Sequence, residues 1–111
     1  MATVRMMQGD SYALLINLTQ MGTVLTPDLV ADIEVSIGET IRKTASAGEV
    51  EFDTTEQQWY FRPTQEETLA LEPGVYEAIA RIKYSDTDDS DVKGINIGRI
   101  IITDSLSMEV I

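Results

Sequence analysis

The residues best suited to chemistry in this sequence are the carboxylates of the run Asp86-Thr87-Asp88-Asp89-Ser90-Asp91. Calcium takes about six to eight oxygen ligands, and Asp86, Asp88, Asp89 and Asp91 supply hard oxygens at near-alternating positions. Read as a helix–loop–helix calcium loop from Asp86, the run places Asp91 sixth, where the turn needs glycine. Ile97 then falls twelfth, where a bidentate glutamate belongs. The pattern fails. What is left is a weak calcium candidate that a solvated hairpin loop explains equally well. Glycosidase-type chemistry needs two carboxylates about 5 to 9.5 Å apart, one held in an apolar cleft that raises its pKa. Most acidic residues here alternate with apolar ones, which puts them on solvated strand faces. Without histidine or cysteine there is no Ser-His-Asp or Cys-His nucleophile pair, no zinc cluster and no disulfide framework. The seven glycines are scattered and build no phosphate cradle. The expectation is a protein with no catalytic residue, no cofactor and no enzymatic activity.

The elements that position these side chains fit one domain over residues 1–111. At 43% hydrophobic and 24% charged the composition is that of a folded chain. Nineteen acidic residues against eight basic ones give a net charge of −11, which argues against nucleic acid, because phosphate affinity comes from Lys and Arg. The longest apolar run, Ala13-Leu14-Leu15-Ile16, is far short of the roughly 20 residues that span a bilayer. No secretory signal follows Met1, so the expected compartment is the cytoplasm at synthesis, with the whole reading frame present.

Apolar residues recur with period two, the signature of half-buried strands. The alternating sets are Tyr12, Leu14, Ile16, Leu18; Ile33, Val35, Ile37; Val50, Phe52; Tyr76, Ala78, Ala80, Ile82, Tyr84; and Leu106, Met108, Val110. A first strand is read over residues 3–8, with turns at Gly9-Asp10, Met21-Gly22 and Pro73-Gly74. Gly38-Glu39 and Ala47-Gly48 read as tight hairpin connections. Thr64 and Glu67 fit a capping box, so one short helix is expected near residues 64–71. Ile95 and Ile97 are out of phase with Ile100 and Ile102, and a bulge at Gly98-Arg99 would return both pairs to one core. Trp59 is the expected centre of that core, and Gly74 with Tyr76 the expected corner between sheets. The sum is an all-β, antiparallel sandwich of seven to nine strands.

Three stretches carry a family resemblance. Trp59-Tyr60-Phe61-Arg62 runs into Pro63-Thr64-Gln65-Glu66-Glu67-Thr68-Leu69 and then Leu71-Glu72-Pro73-Gly74-Val75-Tyr76-Glu77. Gln8-Gly9-Asp10-Ser11-Tyr12 opens an alternating strand, and Ile97-Gly98-Arg99-Ile100 with Val110-Ile111 closes the chain. Together they resemble small prophage-encoded tail or baseplate-associated proteins of Gram-positive bacteria, including the N-terminal domain of phage baseplate upper proteins. The chain departs from that pattern in the acidic loop over residues 85–93 and at Pro63, where relatives often place Leu. The resemblance implies an immunoglobulin-like β-sandwich that is a non-enzymatic structural or adaptor component, possessing no active site and associated with the virion. Implied partners are other tail or baseplate proteins, with basic surfaces suited to the −11 charge and self-association an open option. The alternative is a free-standing sandwich that binds a carbohydrate or protein ligand, a class that should display aromatics on one sheet face. Much of the acidity is expected on outward strand positions, at Glu66-Glu67 and in the 86–91 loop.

Overall fold

Alternating sequences can bury one side chain in two only if a second layer covers that face, and here two sheets cover each other. The computed structural model describes residues 3–84, 92–106 and 109–111. Its strands are β1 (Thr3–Met7), β2 (Leu14–Ile16), β3 (Thr19–Gln20), β4 (Thr23–Val24), β5 (Asp32–Ile37), β6 (Ile41–Thr44), β7 (Val50–Asp53), β8 (Gln58–Phe61), β9 (Gly74–Lys83) and β10 (Val92–Thr103). A 3-10 turn (Pro27–Leu29) precedes β5, and one helix, α1 (Gln65–Leu69), links β8 to β9. The larger sheet has the order β1-β10-β9-β5-β6 and the smaller one β2-β8-β7, with β3-β4 a separate two-residue-turn hairpin. The fold is an all-β sandwich. One apolar cluster joins the layers. Ile33, Val35, Ala78, Ala80, Ile82 and Ile100 from the large sheet meet Leu14, Ile16, Val50, Trp59 and Phe61 from the small one.

Several expectations shift. The sheet is not antiparallel throughout, because β1 runs parallel to β10, with Val4 opposite Ile100 and Met6 opposite Ile102. After β1 the chain leaves for the other sheet, so no hairpin forces reversal, and a period of two carries no direction. Ala47-Gly48 is not a hairpin turn: β6 lies in the large sheet and β7 in the small one, so this turn carries the chain between layers. Tyr12 does not join the buried face of Leu14, Ile16 and Leu18, since β2 starts at Leu14 and Tyr12 is exposed. Beyond Thr103 no strand forms among the described residues. Leu106 and Val110 are exposed, and Met108 lies outside the described residues. β10 already has β9 and β1 on its two sides, so the segment after it adjoins no open edge.

The phase break in β10 is resolved by a bulge one residue earlier than expected. Asn96 lies opposite Ile79 and Gly98 opposite Ala78, leaving Ile97 as the extra residue. Ile97 is thereby buried on the same side as Ile100 and Ile102. The Asn96 side-chain oxygen accepts the Gly98 N–H at 3.0 Å, and Gly98 has φ +145, a conformation in which a Cβ is strained. Gly98→Ala is therefore expected to lower stability by about 1–3 kcal/mol in urea unfolding. Gly94→Ala, two residues before the bulge and in open space, should be close to neutral. Equal losses in both variants would remove the bulge as the cause.

Candidate interaction surface

The elements around α1 form a densely bonded part of the surface. Thr64 caps the helix: its hydroxyl accepts the Glu67 N–H at 3.1 Å, and the Glu67 carboxylate accepts the Thr64 N–H at 2.8 Å. The same carboxylate meets Lys43 Nζ at 2.7 Å, and Glu49 lies 3.9 Å from that ammonium. Lys43 sits on the inward side of edge strand β6, beside Ile41, and its side chain is 9% exposed. Its ammonium reaches the rim while its stem covers the core. Burial pushes the Glu67 carboxyl up, but the Lys43 ammonium and the Thr64 N–H outweigh it and hold the group below its ordinary value. On the other flank, Gly9 N–H donates to the Thr68 hydroxyl, which donates to the Asp10 carbonyl, and Gln8 Nε2 donates to the Leu71 carbonyl. Gln65 grips the backbone of Ile111 with both amide atoms.

The remaining residues singled out by sequence occupy structural positions. Trp59 is buried, with its indole N–H donating to the Leu25 carbonyl at 2.7 Å and its ring edge-on to Phe52 at 5.2 Å. Tyr76 donates its hydroxyl to the Glu72 carbonyl at 2.6 Å, which locks the corner that Gly74 opens at φ +158. Asp86, Asp88, Asp89 and Asp91 lie outside the described residues. Among the described residues, no group of three or more Asp or Glu is placed to hold a metal ion. No helix is long and apolar enough to cross a membrane.

A groove of about 360 Å³ opens at one side of the sandwich, between Pro27, Val30, Ala45, Phe52 and Trp59. Its one carboxylate on the β5 side, Asp32, already accepts Ile33 N–H, Ser46 N–H and the Ser46 hydroxyl, so the wall offers little spare polarity to orient a ligand.

Backbone groups on both edges of the large sheet are partly occupied from within. On β1 the Arg5 carbonyl accepts the Tyr12 hydroxyl, while Met7 N–H donates to the Asp10 carboxylate and Met7 C=O accepts Asp10 N–H. Burial, then the charge of Asp10, raises the Tyr12 phenol above its usual value, so it stays a donor. On β6 both backbone groups of Thr44 are bound to Glu49, and inward Lys43 discourages an added strand.

That leaves the two outer faces. Across the large sheet the outward rows read Arg5–Ile101–Val75, Arg99–Glu77, Ile79–Ser36–Arg42, Arg81–Glu34–Thr44 and Val92–Lys83–Asp32. Five of the eight cations thus stand here with three carboxylates, where sequence alone led us to expect acidity. The face has a net charge of +2, and the rest of the chain carries −13. Arg99 pairs with Glu77 at 3.2 Å and Arg81 with Glu34 at 3.9 Å, with Met7 and Val75 well exposed beside them. The outer face of the small sheet presents Leu15, Tyr60, Glu51 and Asp53, with exposed Arg62 beside Tyr60 and Glu51 at its margin, and the Tyr60 hydroxyl bonds to Glu51. That bond, more than burial, raises the Tyr60 phenol.

Sequence reasoning missed Lys43 and the sign of the large face. Strict alternation from Ile41 was the available signal for Lys43, while the charge sign needed the register of five strands. No known family model matches the chain, and no curated protein is similar to it.

Because the folded-state Glu67 carboxyl titrates below the unfolded value of 4.5, its contribution is present above that pH and is lost as pH falls through the folded value. Glu67→Gln keeps a capping-box acceptor but not the charge, and should cost about 1 kcal/mol at neutral pH. Urea midpoints of the two proteins should converge on acidification below pH 4.5. A gap that persists unchanged there would place the effect outside this ion pair.

Proposed function

We propose that the chain is a non-enzymatic structural or adaptor component of a phage tail or baseplate, acting through protein–protein contacts. The observation that carries this reading is the bipolar sandwich, two outer faces of opposite charge that each mix apolar and charged side chains. A rigid block with a distinct face on each side suits a spacer held between neighbours. The phage assignment is supported by the resemblance over residues 8–12, 59–77 and 97–100. The acidic remainder of the surface suits basic neighbours, and virion association follows from the same reading.

The competing class, a carbohydrate or protein-ligand module, would display aromatics on one face. Trp59 and Phe61 are instead buried, and Phe52 and Tyr76 pack against the core. The gene's neighbours are expected to encode tail, baseplate or lysis proteins. At least one of their products, co-expressed with this chain, should co-elute with it in size-exclusion chromatography. Carbohydrate-utilisation neighbours together with binding of the chain to a glycan array would overturn the proposal.

A further inference from the structure

We infer that the outer face of the large sheet is a docking surface for the outer face of the small sheet of a second copy, so that sandwiches stack head to tail. The inference rests on the reading of the chain as an assembly component and names one partner for it. Its basis is charge complementarity within one molecule. The large face has a net charge of +2 and carries exposed Met7 and Val75 at 47% and 61%. The small face carries Glu51 and Asp53 around Leu15, itself 54% exposed, and the half-buried ring of Tyr60. Apolar side chains then meet apolar ones, and arginines meet carboxylates.

A face-to-face pairing of two large sheets would instead oppose two cationic surfaces, so the stacked arrangement is favoured. Each copy repels the next through its charge of −11, but distance weakens that term. Exposed charges farther apart than the Debye length, about 8 Å near 0.15 M salt, are largely screened. Contacts at the interface act well inside that length, and the net charges act largely beyond it. The contact is small. Three strands at about 4.8 Å spacing are roughly 14 Å wide, too narrow for the ~800 Å² per partner of a tight complex. Weak, concentration-dependent association is the expected outcome. Such a contact joins different patches, so it propagates into rings or short stacks.

The test uses the purified chain alone at about 0.15 M salt, with sedimentation equilibrium over micromolar to millimolar concentrations. The weight-average mass of the wild type should rise above the 12.3 kDa monomer as concentration increases. Among the described residues Arg5 and Arg42 form no ion pair, so their reversal spares the salt bridges of the large face. Arg5→Glu with Arg42→Glu should remove the rise, and so should Glu51→Lys, each variant keeping wild-type circular dichroism. Mixing the two variants should restore association, because the unaltered large face of one fits the unaltered small face of the other. A wild type that stays monomeric at every concentration overturns the inference. So does association that survives the Glu51 reversal, which would mean that the small face is not used. Neither result bears on co-elution with products of neighbouring genes, so the broader proposal stands or falls separately.

Discussion

The contact between Lys43 and Glu67 ties the helix that crosses between the sheets to an edge strand of the larger one. A lysine on the inward side of an edge strand would be costly beside Ile41 unless its ammonium found an anion at the rim. Glu67 supplies that anion from the first turn of α1, where its carboxylate is already fixed by the Thr64 cap. One carboxylate thereby satisfies a helix terminus and a buried cation together. Hydrogen bonds to charged groups contribute about 1.5–3 kcal/mol each, more than a surface ion pair does. The effect is to tie the crossing between β8 and β9 to the far edge of the large sheet.

From that tie the rest of the corner follows. With α1 fixed, Thr68 and Leu71 present a hydroxyl and a carbonyl to the turn after β1, where Gly9, Asp10 and Gln8 bind them. The turn in turn directs Asp10 to Met7, while Tyr12 closes on Arg5. The same short segment that crosses between sheets thus occupies part of the edge it leaves. At β6 Glu49 does the equivalent with Thr44. These bonds occupy part of each edge of the large sheet and disfavour strand addition there.

Much of the architecture was legible in the sequence because it depends on neighbours along the chain. Alternation located Ile33, Val35 and Ile37, and Ala78, Ala80 and Ile82, since successive strand residues point to opposite faces whatever the strand pairs with. The Thr64–Glu67 box is a three-residue reciprocity and needs no tertiary information. Even the bulge in β10 was visible as a phase break between Ile97 and Ile100, because a core can accept both only if one residue is looped out. It fell one residue away from the expected place, where Asn96 could bond across it.

What the tertiary structure alone decided concerns pairs far apart in sequence. The parallel run of β1 beside β10, and the passage of residues 45–49 between sheets rather than within one, depend on which strands become neighbours. Periodicity is blind to that choice. The charge of the outer faces is of the same kind. Arg5, Arg42, Arg81, Lys83 and Arg99 are scattered across four strands, and only their register gathers them into one cationic face on an acidic protein. The sequence determined that each such residue points outward from its own strand; the pairing determined which others stand beside it.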